Sequence, residues 1–170
     1  MLSEKMQKML NEQINKELWS AYLYLSMSAY FEEQNLPGFA NWMRVQSQEE
    51  VTHGMKIFDY VNERGGRVLL QPISEVPSEW NDTKTIVEET LNHEKVVSQS
   101  IYNLVDLAIE EKDHATNNML QWFIKEQVEE EASVDELLGK VEMTEGKPHA
   151  IMMIDKELAG RQFVDETKEE

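Results

Sequence analysis

The strongest constraint on how this chain can fold is the unequal length of its connections. Four long segments carry apolar residues at helical spacing, over about 4–33, 38–64, 83–111 and 114–142. NLPG joins the first two and KDH the last two, and links this short make antiparallel neighbours. Between the second and third segments lie Gly65 to Asp82, about 18 residues that include Pro72 and Pro77 and show no helical period. Fully extended, that stretch spans roughly 59 Å, whereas a helix of about 27 residues is about 40 Å long. It can therefore run the length of the bundle and start the third helix parallel to the second. The order is up, down, down, up: an all-α four-helix bundle with one long crossover.

Local signals mark the ends. Gly65-Gly66 stops the second segment, and Asn81-Asp82-Thr83 and Asp113 stand where the third and fourth need N-caps. A shorter segment, about 149–160, follows EGKP and ends at Gly160, which predicts a short fifth helix. Residues 1–165 then form one domain and 166–170 a polar tail, and 170 residues can bury a core without help from a metal or disulfide.

Charge narrows the function. A net charge of −17 and a pI near 4.6 oppose binding to nucleic acid or an anionic membrane, and suit a protein that handles cations. There is no cysteine, which excludes disulfides, thiolate zinc sites, cysteine-ligated iron–sulfur clusters and cysteine nucleophiles. That composition is compatible with a reducing compartment. The start, MLSEKMQKMLNEQ, is charged throughout and no run approaches a membrane span, so a cytoplasmic protein is expected.

A 4,3 stripe laid along each helix, the spacing that faces a bundle core, meets the same anomaly four times. The first stripe reads Leu10, Ile14, Glu17, Ala21, Tyr24, Ser28, Phe31, and the second Phe39, Met43, Gln46, Glu50, His53, Ile57, Tyr60. The third runs Val87, Leu91, Glu94, Ser98, Ile101, and the fourth Leu120, Phe123, Gln127, Glu130, Val134, Leu137. Each interruption lies near its helix midpoint, so Glu17, Glu50, His53, Glu94, Gln127 and Glu130 share one level whichever way the helices point.

No Lys or Arg stands at mid-stripe to pair with these carboxylates. Burying an unpaired ion costs several kcal/mol, and four would rival a typical total stability of about 5–15 kcal/mol. Protonation, water or cations must compensate. A polar layer around trapped water is the bland solution. Two divalent cations would balance four carboxylates, and one imidazole among oxygen donors suits iron or manganese better than the Cys/His sites of structural zinc.

With Glu17, EExxH at Glu49 to His53, Glu94, and EQVEE at Glu126 to Glu130 at these spacings, the chain resembles the ferritin family, in particular its bacterial non-haem members, over nearly its whole length. The resemblance implies a ferritin-like bundle enclosing a non-haem diiron ferroxidase centre. Glu17 and His53 would hold one iron, Glu94 and Glu130 the other, and Glu50 would bridge them. Gln127 would sit beside the centre, where dioxygen or water binds. A third iron site on the cavity side would use Glu49, Glu126, Glu129 and Glu130, although any surface this acidic also shows adjacent exposed acids. Tyr24, two turns after Glu17 on the same face, would hydrogen-bond ligand carboxylates and supply an electron; a plain core tyrosine whose hydroxyl finds a carboxylate fits the same residue.

The chain departs from related diiron bundles in two places. The second ExxH motif of the bacterioferritin type reads Gln127-Val128-Glu129-Glu130, without histidine. Val51 stands where that pattern has its haem-ligating methionine, so no haem is expected. Zero cysteines exclude the iron domain of rubrerythrins. The ten methionines read as adaptable core filler, and His93, His114 and His149, off the cluster level, as surface or capping residues.

The activity implied is oxidation of Fe(II) to Fe(III) by dioxygen or peroxide, then storage as ferric mineral in a hollow homo-oligomer of 24 subunits with octahedral symmetry. VLLQPI would pair with its two-fold mate and AIMMIDKEL line the four-fold axes. The alternatives are an oxygen-activating enzyme with an organic substrate, a redox-inert iron binder, and a purely structural acidic bundle.

Overall fold

Helices α1 (Glu4–Glu33), α2 (Pro37–Glu63), α3 (Thr83–Glu110) and α4 (His114–Met143) occupy the four periodic segments, and α5 (Pro148–Leu158) the short one. The computed structural model describes residues 1–168; Glu169 and Glu170, the end of the expected polar tail, lie outside the described residues. Glu166–Lys168 form a single 3-10 turn, and Lys56 Nζ of α2 approaches the backbone oxygen of Thr167 at 3.5 Å.

Each long helix begins where a side chain can accept its unpaired first-turn amides. Ser3 Oγ accepts from Met6 N at 2.9 Å, Asp82 Oδ1 from Thr85 N at 2.7 Å and Asp113 Oδ1 from Thr116 N at 3.1 Å. Asp113 also receives the fork of Arg64, both nitrogens at 3.1 Å, which ties the end of α2 to the start of α4. The start of α2 is different. Leu36 precedes Pro37 and offers no capping side chain, so Asp155 of α5 supplies it: its Oδ1 accepts from Gly38 N at 2.8 Å and Phe39 N at 2.9 Å. The approach is possible only at glycine, since a Cβ on Gly38 would lie 1.6 Å from the backbone oxygen of Asp155. At its other end α2 is stopped by Gly65, whose φ of +70° is left-handed.

The crossover lies along α1 and is held there by side chains of that helix. Gln7 Oε1 accepts from Arg67 N at 2.9 Å, and Asn11 donates to Arg67 O at 3.0 Å while accepting from Leu69 N at 2.9 Å. Further on, Ser26 Oγ donates to Pro77 O at 2.6 Å and Tyr30 to Trp80 O at 2.9 Å. Residues 68–73, VLLQPI, form no ladder among the described residues and leave Leu69, Leu70 and Ile73 exposed.

Up, down, down, up is visible in the core, which has two parts. One gathers Leu23, Met27 and Phe31 from late α1, Phe39 and Met43 from early α2, Ile86 and Val87 from early α3, and Val134 and Leu137 from late α4, with Ile154 of α5. The other gathers Met6, Leu10 and Ile14, Ile57 and Val61, Ile101 and Leu104, and Leu120 and Phe123 from the opposite ends. Between them lies the polar level.

Candidate metal centre

Glu17, Glu50, Glu94 and Glu130 are 1%, 1%, 0% and 5% exposed, one from each long helix, and His53 is buried beside them. Their polar partners are unevenly shared. Glu94 is satisfied twice, by the hydroxyl of Tyr24 at Oε1 and by Gln127 Nε2, 3.1 Å from Oε2. Gln127 Nε2 also lies 3.3 Å from the Glu94 backbone oxygen and from Ser98 Oγ, so this amide positions Glu94 on the α3–α4 side. Glu130 Oε2 accepts from Gln46 Nε2 at 2.7 Å, and Glu17 Oε1 from Gln13 Nε2 at 2.9 Å.

Among the described residues, three buried carboxylate oxygens lack a hydrogen-bond donor: Glu17 Oε2 and both oxygens of Glu50. A buried acceptor left unpaired costs about 1–3 kcal/mol, and a charged one more. These oxygens belong to residues that converge: Glu17, Glu50 and His53 each present a ligand atom within 4.8 Å of the others, with His53 Nδ1 3.8 Å from Glu50 Oε2. A cation is the partner that such a set accepts without further donors. Hard carboxylate oxygens with one imidazole form the donor set expected of iron or manganese.

Electrostatics agree with that geometry. Burial first, then the charges of Glu94, Glu17 and Glu130, hold the Glu50 carboxyl well above the ordinary range. Glu94 is pushed up to about 8 by burial and by Glu130, against the hydrogen bonds from Tyr24 and Gln127, which lower it. Tyr24 itself is held well above 10 by burial and by Glu94, so it remains a phenol that donates. Without metal, then, the level holds protons where cations would otherwise sit.

A second group opens on the flank of the bundle. Glu49, Glu126, Glu129 and Glu130, with Ser133, Arg161 and Glu166, line a cavity of about 230 Å³. His53 links it to the interior: its Nε2 is 3.9 Å from Glu126 Oε1, and His53, Glu126 and Glu130 again offer ligand atoms within 4.8 Å of one another. Glu129 is exposed and paired with Lys125 at 3.4 Å. Glu49 is engaged by Arg161, whose Nη2 donates to Oε2 at 2.7 Å. Burial raises Glu49 to about 8 although Arg161 pulls the other way, and raises Glu126 to about 7.

A family model described as a ferritin-like domain matches residues 7–144. This chain belongs to the ferritin family. A bacterial non-heme ferritin of Bacteroides fragilis is 44% identical over 161 residues, which is 95% of this chain and 100% of that relative. Another, from Staphylococcus epidermidis, is 37% identical over 163 residues, 96% and 98% of the two chains. Among solved structures, an Archaeoglobus fulgidus ferritin engineered into a closed form superposes with a TM-score of 0.95 at 51% identity, covering 96% of this chain and 100% of that one. The open pore ferritin of the same archaeon gives 0.94 at 51%, over 95% and 100%. Bundle, crossover and short fifth helix are thus a ferritin fold.

Within this ferritin bundle some polar groups escaped sequence reading. Gln13, whose Oε1 accepts from Ser100 Oγ at 2.8 Å, is a buried strut for Glu17, and neither Gln13 nor Ser100 lies on the core stripes. Gln46 lies on a stripe but bears no charge to flag it. Arg161 reaches Glu49 from outside the long helices altogether. His93 corrects an expectation: it is no surface or capping residue but packs half-buried between α1 and α3, its Nε2 2.7 Å from Ser20 Oγ and its ring edge-on to Tyr24 at 5.9 Å. Burial lowers it to about 4, so it is neutral. His114 and His149 are exposed. Among the described residues no helix is long and apolar enough to cross a membrane.

Proposed function

We propose that this protein is an iron store with ferroxidase activity, using dioxygen to oxidise Fe(II) at a paired site inside the bundle. The observation that carries the reading is the set of three buried, donorless carboxylate oxygens of Glu17 and Glu50 converging with His53. Iron is the substrate. Glu17 and His53 take one Fe(II), Glu94 and Glu130 the second, and Glu50 spans the two; Tyr24 and Gln127 orient Glu94 by the hydrogen bonds that they already donate.

Binding displaces the protons held by Glu50 and Glu94, since carboxylates ligate as anions. Each Fe(II) then gives one electron to dioxygen, so two Fe(II) reduce one molecule to the peroxide level and leave two Fe(III). Anionic oxygen donors favour the ferric state and draw the couple downward. The buried phenol of Tyr24, hydrogen-bonded to Glu94, is an organic electron source beside the paired site. Glu49, Glu126, Glu129 and Glu130 form a third, cavity-side iron site, through which ferric ions leave for the mineral. Storage needs an enclosure, and a shell of 24 such chains in the cytoplasm supplies it; the relatives named bacterial non-heme ferritin support iron storage without haem.

An anaerobic Fe(II) titration followed by air and size-exclusion chromatography tests the reading. Oxygen uptake that scales with Fe(II) well beyond two per chain, with iron co-eluting in a large particle, is the expected result. Glu50→Ala combined with His53→Ala should abolish the rapid initial phase; an unchanged initial rate would place the chemistry elsewhere.

A further inference from the structure

The cavity-side pocket already contains a cation, and it belongs to the protein. Arg161 follows α5 and is placed there by its backbone, whose oxygen accepts from Asn41 Nδ2 at 3.0 Å. Asn41 also donates to Leu158 O at 3.2 Å, so one α2 side chain pins both ends of the α5 exit. The guanidinium lies over Trp42, 4.7 Å from the ring centroid, with Nη1 3.5 Å from the Trp42 backbone oxygen. Its other nitrogen donates to Glu49 Oε2 at 2.7 Å, and this ion pair is mostly shielded, with side chains 24% and 12% exposed.

Two features separate this arrangement from an ordinary surface pair. Glu49 is one of the acids lining the pocket, so the guanidinium occupies a carboxylate that a metal in the pocket would need. The pocket also offers more than acids, because the buried ring of His53 presents a nitrogen to Glu126 and Glu130 within 4.8 Å. A guanidinium cannot lose its charge near neutral pH; it leaves Glu49 only by moving.

We infer that Arg161 is a tethered counter-cation that competes with metal for Glu49, so that the segment after α5 sets the affinity of the cavity-side site. The inference rests on the reading that these acids take a third metal. With Arg161 seated, the pocket holds Glu126 and Glu130 for an incoming ion but lends Glu49 only after displacement. The inner pair has no such competitor and fills first, and an ion in the outer pocket is held weakly enough to pass on.

The test is an equilibrium titration of the assembled, iron-free protein with Zn(II), a redox-inert probe, read by calorimetry. Wild type should show two tight sites per chain and a weaker third. In Arg161→Gln the third should tighten by about five- to tenfold, the worth of one largely shielded ion pair, with the two tight sites unchanged. Arg161→Lys, which restores the charge, should return the third site most of the way to wild type. On a Glu49→Gln background, Arg161→Gln should have no effect. An unchanged or weakened third site in Arg161→Gln, or no third site in either protein, overturns the inference while leaving the inner pair intact. Absence of the two tight sites instead overturns the functional reading on which it rests.

Discussion

Replacing Gly38 with alanine tests the joint between α5 and the bundle. The new Cβ would stand 1.6 Å from the backbone oxygen of Asp155, 2.5 Å from its carbonyl carbon and 2.9 Å from Oδ1. The nearest obstacle is backbone, which cannot rotate aside, so α5 must retreat by about 1.8 Å to reach ordinary contact at 3.4 Å. That retreat breaks the bonds from Gly38 N and Phe39 N to Asp155 Oδ1, now 2.8 and 2.9 Å. Hydrogen bonds to a charged group are worth about 1.5–3 kcal/mol each, and water recovers part of the loss once the first turn of α2 is exposed. A net cost of about 2–4 kcal/mol to α5 docking follows, which amounts to about 30- to 1,000-fold faster exchange. Hydrogen exchange over residues 148–158 measures it directly, with the amides of α1 to α4 as internal reference. Gly54 is the matched control. A Cβ there meets Glu17 Cβ at 3.5 Å and Leu18 at 3.7 Å, ordinary distances, so Gly54→Ala should stabilise by about 0.5–1 kcal/mol through helix propensity. Wild-type protection of α5 in Gly38→Ala would refute the close-approach argument.

Other expectations follow from the polar level. Glu50 and Glu94 are raised in the folded state, Glu94 to about 8, so between about pH 4.5 and 8 the folded protein holds protons that the unfolded chain has released. The metal-free protein should therefore lose stability as pH rises through that window, by up to about 1.4 kcal/mol per pH unit for each such group; urea melts with a chelator present check it, and a rising profile would contradict the assignment. Zn(II) binding at pH 7 should release protons and at pH 9 fewer, since Glu94, held at about 8, has by then lost its own, as read by calorimetry in buffers of differing ionisation heat. Tyr24→Phe leaves Glu94 Oε1 without its donor and should cost the metal-free protein about 1–3 kcal/mol in the same melts, while slowing the first phase of iron oxidation in stopped flow.

Much of this architecture is legible because its causes are local. Helical periodicity places α3 and α4 within a residue or so of where they lie, and Asp82 and Asp113 announce themselves as caps because the amides they accept are three residues away. The convergence of Glu17, Glu50 and His53 is legible for a related reason: once helix order is known, distance along each helix fixes height in the bundle. Contacts between distant parts of the chain are not. Asp155 caps α2 from 117 residues away, and Arg161 reaches Glu49 across 112, with no periodicity linking either pair. His93 sits beside an acid on the core stripe, and only the packing of Trp19 and Tyr24 around it shows that it faces inward.

The divided core gives iron a mechanical meaning. At both ends of the bundle all four helices are closed by apolar packing that is indifferent to cargo. At the waist, among the described residues, neither apolar cluster continues across the four helices, and what joins them there is a few side-chain hydrogen bonds and the protons on crowded carboxyls. Under the proposed function, ions seated there rivet the helices together with ligand bonds from every one. A loaded subunit is stiff along its whole length, and an emptied one is firm at the ends and slack in the middle. Under that proposal the waist is the part of the bundle whose stiffness depends on how much iron it already holds.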